Sequence, residues 1–458
     1  MNQLVDRYFA RLRGKRVAVL GIGVSNRPLI RMLLACGADV TACDKTPREK
    51  LDDEVLTLEA QGARLCVGED YLDHLDADVI FRTPGMRPDL PQIAAQTARG
   101  AQLTSEMEAF FEVCPCTVIA VTGSDGKTTT TTLIAKILEH AGKRVWVGGN
   151  IGAPLLPRAA QMQQDDFAVV ELSSFQLMTM TRSAHVAVVT NLAPNHLDMH
   201  HGMEEYIQAK KNVFLHQNAG DKVVLNLDND ITRSFAPEAR GCAAFFSRRE
   251  TVENGVYLKE GVIYRGGKKI MDAADIKIPG VHNIENYMAA ACAVEGYASD
   301  ADVDAVARSF GGVEHRIELV RELNGVRYYN DSIASSPTRT IAGLHSFTQP
   351  VILIAGGYDK HIPFDVLGPE ICAHVKTLIL CGTTADKIRA AVTAAPEYEE
   401  GKPNILDAEN LAQAVVFAQK SAEPGNVVTL SPACAAFDQF KNFMVRGQTY
   451  KKLVNELI

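Results

Sequence analysis

The strongest chemical signal in the chain is Gly123-Ser124-Asp125-Gly126-Lys127-Thr128. It directly follows an apolar run at residues 117–122 and precedes a stretch with helical spacing that Gly142 stops. Glycines let backbone N–H groups wrap phosphate oxygens, and a helix N-terminus adds partial positive charge. Lys127 supplies a point charge for the outer phosphates, and Thr128 a hydroxyl for Mg²⁺. The position that the Walker pattern reserves for its first glycine holds Val121, so the loop is two residues short. A Gly-rich turn with a solvated lysine would not explain strand, loop, Lys-Thr and helix in that order. Phosphate binding is the expectation.

Acids and bases follow downstream. Glu171 ends the apolar run Phe167-Ala-Val-Val170. A charge at a buried strand end needs a partner. A metal ligand and a helix N-cap acid both satisfy that need. Asn191-Leu-Ala-Pro-Asn-His196-Leu-Asp198-Met-His200-His201 follows another apolar run. Its spacing suits a loop, with His200 and His201 read as surface polar residues and His196 as the functional candidate. Lys210 and Lys211 sit in a helical stretch from about Met203 and read as a solvated pair. Near the N-terminus, Gly21-Ile-Gly23-Val-Ser-Asn26 with Asp44 is a weakened dinucleotide fingerprint, its third glycine replaced by Asn26. A turn that holds a diphosphate, with an acid reading another part of the nucleotide, fits it.

Short apolar runs alternating with amphipathic stretches must position these groups, which is the α/β signature. The 458 residues suggest about three domains. The expected boundaries are 1–105, 106–312 and 313–458. Strands are expected at residues 16–21, 39–43, 117–122, 167–171, 185–191, 326–329, 350–355, 377–381 and 426–430. Antiparallel hairpins are expected over 255–270, and helices over 283–297 and 436–457. A net charge of −8, from 47 Lys and Arg against 55 Asp and Glu, excludes a general nucleic-acid or anionic-membrane binder. The ten cysteines are scattered, and Cys114-Pro-Cys116 is not a zinc-knuckle spacing. No apolar run approaches a membrane span and no secretory signal is evident, so a cytoplasmic protein is expected; separately, it is expected to be a monomer.

Taken in order, the segments resemble the Mur ligase family, the ATP-dependent amino-acid ligases of bacterial cell-wall synthesis. The resemblance covers essentially the whole chain. Besides the phosphate loop it rests on Gly149-Asn-Ile-Gly152, Glu171-Leu-Ser-Ser-Phe-Gln176, Asn195-His-Leu-Asp198 and His282-Asn-Ile-Glu-Asn286. In the last third it rests on His315-Arg316, Asn330-Asp-Ser332, Gly356-Gly-Tyr-Asp-Lys360 and Ser431-Pro-Ala-Cys-Ala435. It is strongest to members that add D-glutamate to UDP-N-acetylmuramoyl-L-alanine. It implies a Rossmann-like N-terminal domain, a central P-loop ATPase-type parallel sheet with a small antiparallel sheet, and a Rossmann-like C-terminal domain.

The resemblance also implies roles. Gly123, Ser124, Asp125, Gly126, Lys127, Thr128 and Thr129 would cradle the ATP phosphates. Thr128 and Glu171 would hold one Mg²⁺, and His196 with a carbamylated Lys210 a second. Asn283 and Asn286 would lie on the adenine side, and Arg316 and Asp331 at phosphates and ribose. Val24, Ser25, Asp44, Lys45 and Thr46 match a uridine-diphosphate pocket, and Asn150 would touch the muramoyl substrate. Lys360 would bind the glutamate side-chain carboxylate, with Ser335, Ala436, Phe437 and Phe443 lining that pocket.

Three positions depart from the family pattern. Ile333 stands where Lys is common, which removes a positive charge near the amino-acid site. Ala436 replaces a usual Ser, leaving backbone contact there, and Asp125 replaces Asn or His. The implied reaction phosphorylates a carboxylate with ATP, and the amine of glutamate then displaces phosphate. Another Mur-type or a folylpolyglutamate-type ligase is the nearest alternative. The latter would not need the Gly21-Ile-Gly23 turn. An NAD-dependent oxidoreductase is opposed by Asn26 and by the downstream phosphate loop.

Overall fold

The computed structural model describes residues 3–194 and 199–458. His196, Asn195 and Asp198 lie outside the described residues. The chain divides into two compact units, residues 1–273 with 285–306, and residues 274–284 with 307–458.

The first unit contains two sheets. The N-terminal one has five strands in the order Arg64–Val67, Asp39–Asp44, Arg16–Leu20, Val79–Arg82, Gln102–Thr104, all parallel. Arg16–Leu20 is buried apart from its first residue, as a central strand of a doubly wound sheet must be. The second sheet has nine strands. At its centre Thr117–Thr122 lies between Phe167–Glu171 and Val186–Val189, all parallel. The Gly-rich stretch after Gly255 forms the expected antiparallel strands, Gly255–Lys259, Val262–Arg265 and Lys268–Asp272. They extend the edge of the parallel sheet, because Gly255–Lys259 also pairs in parallel with Cys242–Ser247. One apolar core runs from Val5 and Phe9 through Phe110 and Trp146 to Phe214 and Phe235, so both sheets share it.

The second unit is built on six strands in the order Glu318–Leu323, Val326–Asn330, Val427–Leu430, Val351–Ala355, Val375–Leu380, Asn404–Asp407. Only Glu318–Leu323 is antiparallel to its neighbour. The C-terminal helix is shorter than the apolar periodicity implies, spanning Phe443–Asn455. Asn442 caps it by accepting from the Val445 N–H, and residues 436–442 stay in the preceding loop. No helix among the described residues is long and apolar enough to cross a membrane.

Candidate active site

The phosphate loop leaves the C-terminal end of the strand Thr117–Thr122, where ligands collect in open parallel sheets. It feeds the helix Lys127–His140, whose first N–H groups have no partner within the helix. Gly126 is left-handed, with φ of 77°, and a Cβ there would collide with the Asn286 amide. A Cβ at Gly123 would collide with Thr190 Oγ1. The loop's shape is therefore set by neighbours that the motif does not contain. Asn191 Oδ1 accepts from the Asp125 N–H at 3.0 Å, and Thr190 Oγ1 donates to the Asp125 carbonyl at 2.6 Å. Ser124 Oγ donates to the Ala193 carbonyl and lies 2.9 Å from Tyr206 Oη.

Two lysines converge on this loop. Lys127 Nζ donates to the carbonyls of Gly123 and Ser124 at 2.9 and 2.8 Å. Lys210 Nζ donates to Thr122 Oγ1 at 3.1 Å and to the Gly123 carbonyl at 2.9 Å. The expectation of a solvated pair fails for Lys210, which is 2% exposed, while Lys211 pairs with Glu238 at 2.5 Å. One helical step separates the two, so their side chains leave different faces of the helix, Lys210 fully buried and Lys211 half-buried. Burial, and then the nearby Lys127 charge, push the Lys210 amine well below its ordinary value, against the raising pull of Glu171 and Asp125.

Glu171 ends the strand beside the loop and is 1% exposed. Asn150 Nδ2 donates to Glu171 Oε1 at 2.8 Å, and the Asn150 N–H to the Glu171 carbonyl. Oε2 of Glu171 is buried and has no hydrogen-bond partner among the described residues. An unpartnered buried carboxylate oxygen beside a phosphate loop fits a hard cation such as Mg²⁺. Thr128, half-buried on the first turn of the helix, offers a hydroxyl from the same region. Asn286 is buried against the loop, with Thr130 Oγ1 donating to its Oδ1 at 3.2 Å. Asn283 is also buried, its amide donating to the Pro279 carbonyl at 2.5 Å.

The reading of His200 as a surface residue is corrected. It is 4% exposed and stacks on Phe175 with ring centroids 5.2 Å apart. Its Nε2 lies 2.9 Å from Ser174 Oγ and its Nδ1 3.2 Å from Glu205 Oε2. The Ser-His-Glu order imitates a hydrolase triad, but Ser174 is 2% exposed and out of reach of a substrate. The chain of bonds is a clamp. Arg87 completes it by grasping both Glu205 oxygens and the Met199 carbonyl. Asp89 and Glu205 are held well below the ordinary carboxylate range by Arg87. His201 is exposed, as expected, and reaches Asp89 at 3.2 Å.

In the N-terminal sheet, Asp44 accepts from the N–H groups of Ile22 and Thr46 at 2.8 and 2.9 Å. Burial pushes its carboxyl up, but these bonds outweigh it and leave the group below its ordinary value. Asn26, the substitute for the third fingerprint glycine, is 3% exposed and donates to the Gly21 carbonyl at 2.8 Å, closing the turn. Val24 is 78% exposed, Lys45 is exposed, and Ser25 and Thr46 are half-buried, so this turn is open to solvent.

In the second unit, Asp331 accepts from Ser431 Oγ at 2.7 Å and from the Ile317 N–H at 3.3 Å. Burial raises its carboxyl to about 7, against the lowering pull of Ser431 and Arg316. Lys360 is exposed. Phe437 is 62% exposed, meeting Tyr358 edge to face, while Ala436 is buried and Ser335 and Phe443 are half-buried. The residue missed in the sequence is Arg446. It is 4% exposed and donates to the carbonyls of Ser332, Cys434 and Ala435 and to Ser332 Oγ, all within 3.0 Å. It ties the Asn330-Asp-Ser332 segment to the Ser431-Pro-Ala-Cys-Ala435 segment. A lone arginine in the apolar run Phe443-Met-Val-Arg446-Gly447 was the available signal.

Comparison with known proteins agrees. The family description "Mur ligase middle domain" matches residues 121–294, and "Mur ligase, glutamate ligase domain" matches residues 315–434. UDP-N-acetylmuramoylalanine–D-glutamate ligase of Acetivibrio thermocellus is 52% identical, covering 100% of both chains. The enzyme of the same name from Ruminiclostridium cellulolyticum is 50% identical, again over 100% of both. Among solved structures, UDP-N-acetylmuramate–alanine ligase of Thermotoga maritima superposes with a TM-score of 0.57 at 17% identity, covering 96% of this chain and 99% of that one. A UDP-N-acetylmuramoyl-L-alanyl-D-glutamate–2,6-diaminopimelate ligase superposes with a TM-score of 0.58 at 17% identity, covering 98% and 94%. Those two share the fold, while the end-to-end sequence identity settles the lineage: the chain belongs to the Mur ligase family.

Proposed function

We propose that this enzyme joins D-glutamate to the lactoyl-alanyl carboxylate of UDP-N-acetylmuramoyl-L-alanine, at the expense of ATP, in peptidoglycan synthesis. The observation that carries the reading is the match to D-glutamate ligases over the full length of both chains at about half identity.

The chemistry follows from the charges. A carboxylate is a poor acyl electrophile, so it is first phosphorylated. Its oxygen attacks the γ-phosphorus of ATP, the bond to the β–γ bridging oxygen breaks, and ADP leaves. The glutamate amine then attacks the acyl carbon and phosphate departs with the pair that held it. The first step brings two anions together, so alignment and charge neutralisation dominate it. We assign the backbone N–H groups of the loop and Lys127 to the phosphates. Glu171 and Thr128 are the residues suited to hold one Mg²⁺, and His196 and Lys210 a second. Bound there, Mg²⁺ supplies Lewis-acid charge to phosphoryl oxygens. The buried Lys210 amine, shifted well below its ordinary value, is suited to add CO₂ in its unprotonated form, forming an N–C bond and releasing one proton to give a carbamate. That carbamate converts a donor into an oxygen ligand.

Asn150, bonded to Glu171, is placed to couple the muramoyl substrate to the phosphoryl site. The Gly21–Asn26 turn with Asp44, Lys45 and Thr46 suits the uridine diphosphate. Lys360, Ser335, Ala436, Phe437 and Phe443 suit glutamate, with Arg316 and Asp331 toward the nucleotide and Asn283 and Asn286 on its adenine side. We assign domains to residues 1–105, 106–312 and 313–458, and a monomer in the cytoplasm. The test is phosphate release and amide formation with ATP, Mg²⁺, bicarbonate and UDP-N-acetylmuramoyl-L-alanine. D-glutamate supports turnover, and L-glutamate and L-lysine do not. Equal rates with L-lysine would replace this reading with a sister ligase, and no ATP consumption would remove it.

A further inference from the structure

Away from the phosphate loop, the second unit carries a convergence of ligating side chains that the proposed reaction does not use. His345 caps the end of the helix Pro337–Leu344, and Glu370 and His374 lie one turn apart on the helix Leu367–His374. The two helices pack together. His345 Nε2 lies 2.6 Å from Glu370 Oε2, and His374 Nε2 lies 3.5 Å from the same oxygen. The imidazole centroids are 4.9 Å apart, and one ligating atom from each residue falls within 4.8 Å of the others.

We propose that His345, Glu370 and His374 form a binding site for a borderline transition-metal ion of the Zn²⁺ class. The carboxylate oxygen stands 2.6 and 3.5 Å from the two imidazole nitrogens, and all three donor atoms fall within 4.8 Å of one another, so side-chain rotation alone brings them toward the spacing of about 3.3 Å between donors that are each about 2 Å from a tetrahedral ion. Both imidazole nitrogens approach the same carboxylate oxygen. A divalent cation receives three converging lone pairs. Imidazole with carboxylate selects Zn²⁺, Co²⁺, Ni²⁺ or Cu²⁺, whereas Mg²⁺ prefers all-oxygen octahedra. The three side chains are 51%, 32% and 35% exposed, so an ion can reach them from solvent. The bound ion would pin the helix that follows Ser335 to the helix that follows Lys360.

The test is titration of the full chain, free of any histidine tag, with Co²⁺ in saturating Mg²⁺. One equivalent is expected to give the visible bands of nitrogen and oxygen ligation, without the thiolate charge-transfer band that the cysteines would produce. The His345→Gln/His374→Gln variant is expected to lose at least tenfold in Co²⁺ affinity, and Glu370→Gln to weaken binding as well. Both variants keep the wild-type melting temperature without transition metal and the wild-type rate with Mg²⁺ and ATP. Absence of a saturable Co²⁺ spectrum, a thiolate band, or equal binding by the double variant each overturns the assignment.

Discussion

Asn150 Nδ2 donates to Glu171 Oε1 at 2.8 Å, and the other Glu171 oxygen is buried without a hydrogen-bond partner among the described residues. The bond holds one carboxylate oxygen at the C-terminal end of the strand and leaves the other for a different partner. Glu171→Gln keeps the shape and the Asn150 contact but removes the charge. It is expected to lower kcat at least 10²-fold, the order of one lost electrostatic contact. Because a buried unpaired charge is also removed, the melting temperature holds or rises. Phosphate release and a thermal melt together check this, and an unchanged kcat would exclude Glu171 from the phosphoryl site.

Lys127→Ala is expected to cost at least 10²-fold in kcat/KM. The loop itself should survive, since Thr190, Asn191 and Ser124 hold it independently of the lysine. A crystal structure or an amide-exchange profile of the variant would show the loop unchanged. Activity within a few-fold of wild type would remove Lys127 from its assigned role.

Arg446 has no carboxylate partner in its hydrogen-bond set, and burial lowers its guanidinium to about 10. Its fork instead satisfies carbonyls of Ser332, Cys434 and Ala435. Arg446→Ala leaves those acceptors buried, at a cost of about 3 kcal/mol. Arg446→Lys keeps a charge without the fork and should raise KM for D-glutamate about tenfold, with a smaller change in KM for ATP. Equal effects on both constants would point to general loosening instead of positioning.

Glu106 is buried, accepts from the Leu156 N–H at 2.9 Å and is raised by desolvation from 4.5 to about 7. The folded chain therefore keeps a proton that the unfolded chain has lost between those pH values. Stability attributable to this group falls as pH rises from about 4.5 to 7 and is level above. Glu106→Gln is expected to be more stable than wild type by roughly 2 kcal/mol at pH 8, with the advantage gone below pH 4.5. Urea melts at three pH values measure it, and a constant difference across pH would show that Glu106 does not titrate there.

What the sequence determined by itself was local and periodic. The strands Thr117–Thr122 and Phe167–Glu171 were legible because a strand buried on both faces must be continuously apolar. The loop between Gly123 and Thr128 was legible because phosphate chemistry restricts residue types over a short span. Tertiary structure decided what depends on contacts between distant segments. Lys210 and Lys211 look alike in sequence, and only the placement of their helix against the loop buries one fully and leaves the other half-buried against Glu238. His200 could be read as surface until Ser174, Phe175 and Glu205 closed around it. The C-terminal helix starts at Phe443 because residues 433–436 are held by Arg446 and by the neighbouring strand ends, a constraint that no apolar period records. Asn26 replaces a glycine yet keeps the turn, since its amide reaches the Gly21 carbonyl. Periodicity reports which face of an element is buried, whereas the partner of a buried polar group is set by the packing of elements far apart in the chain.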